Sequence, residues 1–236
     1  MMGKKISAII STYNSEKFIK GRLDNLINGT LFSKTEIIIV NSASEENEDQ
    51  IIKSYLAKYD NIKYFKTPKR ETLYASWNRA IRAASGEYLI NANTDDRSRV
   101  DAFEIMANTL DHNLETALVY SDYYVTKLPN EIFNGRPIKP HWKPVRLPDY
   151  SRDRLMRDYF CGPLIMWRKK IHKKLGYFDE SYIYAGDFEF CLRISEHYPI
   201  LRIPKLLCLH YYNKKGLYLK NKDTLKEETR VIEKFI

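Results

Sequence analysis

Short β-branched runs over 6–10 and 36–40 are each bounded by polar residues, the pattern of strands buried on both faces of a mostly parallel sheet. Between them Ile19, Leu23, Leu26 and Ile27 fall on one helical face, with Asn14 or Ser15 able to cap its start and Gly29 to end it. The unit reads as βαβ. The rhythm repeats with a second amphipathic face at Ile52, Tyr55 and Leu56, a strand over 62–65, and a helix through Leu73, Trp77, Ala80, Ile81 and Ala84 closed by Gly86. A fourth strand follows over 88–90. Such alternation predicts an α/β fold with right-handed crossovers and a ligand site beyond the carboxyl ends of the strands.

Past residue 100 the pattern loosens to a helix over 103–110 and a strand over 117–124. The stretch 127–149 holds Pro129, Pro137, Pro140, Pro144 and Pro148 and is expected to be a long functional or mobile loop. A strand over 164–167, a helix over 169–175 ending at Gly176, and a helix over 187–197 are predicted beyond it. The whole 1–236 reads as one domain: a ligand-binding half (1–100), a catalytic half (101–212) and a C-terminal helix or tail (213–236).

The opening residues lead straight into the first strand, so neither a signal peptide nor a spanning helix is expected, and residence in the cytoplasm follows as the default. Cys161, Cys191 and Cys208 are odd in number and widely spaced, which fits reduced packing residues rather than a disulfide framework. The formal charge of +9 favours phosphate-bearing or anionic-lipid partners. No RNA-recognition aromatic signature accompanies that charge, so no nucleic-acid partner is expected.

Glycine placement excludes much chemistry, because no G-x-G pair and no Gly-Lys-Ser/Thr occurs; neither a dinucleotide fingerprint nor a P-loop is present. No nucleophile elbow and no closely spaced histidine pair appears either. What remains is acidic. Asn93-Thr94-Asp95-Asp96 follows the fourth strand, where its oxygens either suit Mg²⁺ or Mn²⁺ bridged to a diphosphate or cap the next helix. Asp187 opens a predicted helix, where it either caps that helix or deprotonates an acceptor hydroxyl.

Several segments in order resemble the family 2 glycosyltransferases, over residues 5 to about 212. Ser7 to Asn14 is similar to the opening strand and its turn; Glu36 to Val40 with Asn41-Ser42-Ala43-Ser44 to the second strand and its "D-x-GS" turn. Tyr74-Ala75-Ser76-Trp77-Asn78, with 83–88, resembles an "A-x-N…A-x-GEY" segment, and 93–96 stands in the place of a "DADD" metal motif. Gly176-Tyr177-Phe178-Asp179-Glu180 and 186–193 resemble the "G-x-FDE" and "ED-x-x-x-x-x-R" segments around the catalytic base.

The resemblance implies a GT-A fold, a mostly parallel nucleotide-binding sheet flanked by helices with a mixed acceptor-side region, and an inverting transfer of sugar from a nucleotide-sugar donor to a glycan or lipid-linked acceptor. It implies Asp187 as base, and Asp95 with Asp96 or His210 as ligands of Mg²⁺ or Mn²⁺. It places Thr12, Tyr13, Asn14, Asn41, Ser42, Asn78 and Asn93 around the nucleotide, and Gly162, Trp167 and Gly186 around the sugar or acceptor. Trp167 reads equally as a core aromatic, and His210 as an ordinary histidine after a strand. Three departures stand out: Asn41 and Asn93 replace carboxylates of the pattern, and Gly186 replaces the acidic residue before the base. An asparagine at 41 suits UDP with relaxed selectivity. Rival readings are a sugar nucleotidyltransferase and a non-catalytic nucleotide- or carbohydrate-binding module. A lipid-linked acceptor would place the chain against the inner, anionic membrane face, and Lys139, His141, Trp142, Lys143 and Arg146 are the expected contact.

Overall fold

The structure is a computed structural model that describes residues 5–134, 137–214 and 223–236. Residues 1–4, 135–136 in the proline-rich stretch, and 215–222 in the expected tail lie outside the described residues. Among the described residues nine strands form one sheet: β1 (Ile6–Thr12), β2 (Thr35–Asn41), β3 (Ile62–Lys66), β4 (Tyr88–Asn91), β5 (Arg97–Ser98), β6 (Leu118–Thr126), β7 (Lys143–Val145), β8 (Ile165–Arg168) and β9 (Ile200–Tyr211). Their order is β3-β2-β1-β4-β8-β6-β9-β5, with β7 added to β6. The first four run parallel, β8 is antiparallel to both neighbours, and β9 returns parallel to β6.

The helices are α1 (Glu16–Ile27), α2 (Glu48–Leu56), α3 (Leu73–Ala83), α4 (Ala102–His112), α5 (Arg152–Leu155), α6 (His172–Leu175), α7 (Gly186–Ser195) and α8 (Thr224–Phe235). They cover both faces, and the buried strands divide their side chains between them. Ile6, Ala8, Ile10, Ile37 and Ile39 pack on the face of α1, α2 and α4, while Ile9, Ile38 and Val40 pack on the face of α3 and α7. That two-sided burial is why these strands read as unbroken apolar runs rather than alternating ones. Gly86 marks a close approach: a Cβ there would stand 2.6 Å from Ser7 Oγ, and its amide donates to Ser7 Oγ and to buried Glu36.

The stretch read as a mobile loop is largely packed. Strand β7 pairs with β6 through Pro144, as an edge strand tolerates proline. Trp142 is only 5% exposed and forms a small core with Tyr124, Phe133 and Leu209. Buried Glu131 gathers the segment, accepting from Trp142 Nε1 at 2.8 Å, Lys139 Nζ at 2.8 Å, His141 Nε2 at 3.0 Å and the Thr126 hydroxyl. Arg146 pairs with Asp122, buried at the bulge where β6 and β9 change register. The expected interfacial aromatic is therefore inside the protein, and Lys139, His141 and Arg146 already have partners. His210, expected after a strand, lies within β9. All three cysteines are buried and free.

Burial alone would raise the Glu131 carboxyl, but the bonds from Lys139, Thr126, Trp142 and His141 outweigh it and hold it at about 2. A carboxyl depressed on folding stabilises the native state above its unfolded value of about 4.3, and that contribution fades as pH falls toward 2. Glu131→Gln is expected to lower stability at pH 7 by about 1–3 kcal/mol, with the gap from wild type closing in acid. Denaturant melts at pH 7 and pH 3 check this, and equal stabilities at pH 7 would refute it.

Candidate active site

Parallel pairing of β1, β2, β3 and β4 sends the turns after each of them to one edge of the sheet. Asn14 adopts a left-handed φ of 47°, and its side-chain oxygen accepts from Ser44 Oγ at 3.2 Å and Glu45 N at 3.0 Å, tying the first turn to the second. Thr12 and Ser15 bond each other at 2.5 Å, and Ser15 N donates to fully buried Glu48 at 2.6 Å. Tyr13 remains partly open, with the Arg70 guanidinium 4.1 Å from its ring centroid.

Several residues expected at the nucleotide turn out to be braces. Asn41 is 1% exposed, its oxygen accepts from Ser44 N at 2.8 Å, and its amide nitrogen reaches Tyr64 Oη at 3.1 Å. Bonded inside the protein through both its oxygen and its nitrogen, Asn41 shapes its own turn. Ser42 Oγ is bonded to Glu71 N and O. Asn78 is buried and clasps the Phe178 backbone, donating to its carbonyl at 2.8 Å and accepting from its amide at 2.9 Å. Composition could suggest these amides but not their partners.

The turn after β4 holds the acidic cluster. Asp96 is buried, accepting from His210 Nδ1 at 2.8 Å and Tyr211 N at 3.1 Å on one oxygen and from Asn93 Nδ2 at 3.2 Å on the other. Burial opposes its charge, but the facing His210 and these bonds outweigh it, so the carboxyl sits below the usual range. Burial likewise works against a charged His210, and Asp96 reverses that and raises it. Asp95 differs: burial and the neighbouring Asp96 push it up to about 6, against a bond from Asn213 Nδ2 at 3.2 Å. Behind the turn stand two guanidiniums that the sequence did not single out. Arg22 and Arg97 both donate to the Asp96 carbonyl, at 3.3 and 2.7 Å.

Among the described residues, no three His, Cys, Asp or Glu side chains converge as a ready metal cage. The donor chemistry nonetheless fits a hard divalent ion. Asp95 is a carboxylate whose charge is opposed by burial and a like-charged neighbour, and a nearby dication would reverse that penalty.

Asp187, on the first turn of α7, accepts from Tyr74 Oη at 3.1 Å and from Phe188 N at 2.9 Å, both on Oδ1. Burial raises its carboxyl above the usual range, against those two bonds and the nearby Tyr159 hydroxyl. Tyr74 sits on the first turn of α3, and α3 leaves the same strand edge as the other turns, so it brings Asp187 to that edge. Gly186 is explained by the same ring: a Cβ there would stand 2.6 Å from Tyr74 Cε2, so the tyrosine fills the space that an acidic side chain would take. Glu189 is fully buried between Arg193, at 2.6 Å, and Lys234, at 2.8 Å, and is no substitute base.

Trp167 is core: it is fully buried, stacks edge-on to Phe178 and Phe190, and donates to His172 Nε2 at 2.9 Å. Gly162, with φ of 74°, belongs to a turn fixed beside the end of β4, where Asn91 binds Pro163 O at 2.9 Å and Ile165 N at 2.9 Å.

The family profile described as glycosyl transferase family 2 matches residues 7–176. Chondroitin synthase of Escherichia coli is 25% identical over 223 residues, covering 94% of this chain and 31% of the synthase. The solved structure of S. aureus TarS 1-349 in complex with UDP-GlcNAc superposes with a TM-score of 0.75 at 21% identity, over 97% of this chain and 65% of that one. The mannosyltransferase PcManGT of Pyrobaculum calidifontis, solved with GDP-Man and Mn²⁺, gives 0.68 at 17% identity over 92% and 59%. Both structural likenesses establish the GT-A architecture, and this chain spans less than two thirds of each of these three proteins.

Gly186→Ala is expected to displace the Tyr74 ring and to cost about 1–3 kcal/mol of stability, the usual penalty of overpacking. Thermal melts of the variant decide it; an unchanged melting temperature would mean that the ring is free to move.

Proposed function

Because this chain belongs to glycosyl transferase family 2, we propose that it moves a sugar from a nucleoside diphosphate donor, UDP among them, to a hydroxyl of a glycan or lipid-linked acceptor with inversion at the anomeric carbon. The observation that carries this reading is Asp187: a largely buried carboxylate of raised pKa, set by Tyr74 on the sheet edge that also bears Asp95. A carboxyl raised above the usual aspartate range is a better general base than an ordinary aspartate. Its Oδ1 receives both protein bonds, which leaves Oδ2 to meet the acceptor.

In the proposed displacement Asp187 takes the acceptor hydroxyl proton as the oxygen bonds to the anomeric carbon. The bond from that carbon to the diphosphate breaks, and the nucleoside diphosphate leaves with the electron pair. Asp95 is the carboxylate that would hold Mg²⁺ or Mn²⁺, which supplies neutralisation of the departing diphosphate; Asp96 and His210 brace it from behind. Tyr13 offers an open aromatic face to the base, and Arg70, stacked on it, stands ready for diphosphate charge. UDP-GlcNAc bound to TarS and Mn²⁺ bound to PcManGT support the donor class and the metal, and the name of chondroitin synthase supports a polysaccharide acceptor.

A membrane-proximal acceptor would use a different surface from 139–146. Among the described residues no helix is long and apolar enough to cross a membrane. The segment from the end of β8 through α6 carries buried Arg168, Lys169 and the exposed Lys170, Lys173 and Lys174, and all of these but Lys174 border, with Tyr177, a cleft of about 410 Å³.

Three measurements test these readings. Asp187→Asn is expected to lower turnover on the order of 100- to 10,000-fold with UDP binding unchanged. The UDP-induced rise in melting temperature should need Mn²⁺, vanish in Asp95→Asn, and weaken as pH falls below about 6, where protons compete for Asp95. Full turnover by Asp187→Asn, or a rise indifferent to EDTA, removes the corresponding role. For the surface, anionic but not neutral vesicles should float the protein, and Lys170→Glu with Lys173→Glu should abolish flotation while Lys139→Glu with Lys143→Glu should not.

A further inference from the structure

Helix α8 lies beyond the residues matched by the family profile, yet it reaches the base. Its Glu227 accepts from three successive backbone amides ahead of α7: Ile183 N at 3.0 and 3.1 Å to its two oxygens, Tyr184 N at 2.8 Å and Ala185 N at 3.0 Å. Amides leading into a helix have no partner within it, and a carboxylate satisfies them with charge-assisted bonds. The rest of α8 grips the same region. The Arg230 guanidinium lies 3.9 Å from the Tyr182 ring centroid and 3.2 Å from Ser181 Oγ, Lys234 pairs with Glu189 of α7 at 2.8 Å, and Val231 is buried in the shared core.

The grip bears on proton placement at Asp187. Tyr74 Oη has one proton and two acceptors, the Tyr184 carbonyl at 2.9 Å and Asp187 Oδ1 at 3.1 Å. Where the Tyr184 carbonyl stands decides how the hydroxyl is shared. Glu227 holds the amide of that same residue.

We propose that Glu227 is a positioning residue for the reaction: it clamps 183–185, fixes the Tyr184 carbonyl, and thereby sets both the place and the proton affinity of Asp187. The proposal rests on Asp187 being the base. Asp187 faces Tyr74 of α3, Tyr159, Cys191 of α7 and Glu228 of α8, and burial is the first cause that raises its carboxyl; loosening the clamp admits water, so the midpoint should move down, toward the ordinary aspartate range.

The test compares wild type, Glu227→Ala and the conservative Glu227→Gln, which keeps one acceptor oxygen. Amide hydrogen exchange at Ile183, Tyr184 and Ala185 should rise at least about tenfold in Glu227→Ala, as expected for lost hydrogen bonds in a local opening, and less in Glu227→Gln. The Asp187 carboxyl, followed by carbon NMR, should titrate at lower pH in both variants. With a working donor, kcat should fall about tenfold or more while the donor KM stays within about twofold. If Glu227→Ala does not fold, Glu227→Gln carries the same three readouts. Unchanged exchange, or raised exchange with an unmoved Asp187 titration, overturns the proposal. Exchange and titration need no turnover, so a wild type that transfers no sugar defeats the functional reading while Glu227 is still decided.

Discussion

Four strands running parallel is the constraint from which the site follows. Parallel strands cannot be joined by tight hairpins, so each of β1, β2 and β3 is followed by a helix on the way to the next strand, and each turn opens at the same edge. Tyr13, Ser44, Arg70 and Asp95 come from four different turns and share one rim because of that direction alone. The antiparallel strand β8 ends the series and lets a second half of different rhythm bring in Asp187.

Carboxylates hold irregular backbone throughout the molecule, at that rim and away from it. Glu48 accepts from the Ser15 amide, Glu36 from Ser85 and Gly86, Asp122 from Leu147, Asp96 from Tyr211, and Glu227 from three amides. Irregular backbone cannot satisfy its own amides as a helix or ladder does, and a charged acceptor is the strongest neutral-pH substitute. Functional groups are thus carried on loops whose shape is enforced by acids belonging to other parts of the chain.

The sequence made the parallel half readable because buried β-branched runs and amphipathic helices are local patterns. What it could not convey is partnership. Asn41 and Asn78 look like ligands because an amide is polar, yet one spans its own turn and the other clasps a backbone far along the chain. Five prolines made 127–149 look open, whereas Glu131 and Trp142 close it from within. Gly186 looked like a loss, and only its contact with Tyr74 shows an exchange of one side chain for another.

Helix α7 lies in the connection between β6 and β9, and those two strands pair in parallel along most of their length across the bulge at Asp122. Such a pairing closes a long loop before any contact rewards it, which makes it a slow step of folding compared with the local βαβ units of the first half. The rim that bears Tyr13, Arg70 and Asp95 can therefore take shape early, whereas Asp187, the proposed base, arrives only when the far half of the sheet zips shut. A nascent or partly unfolded chain would hold a donor-side surface without the means to use it.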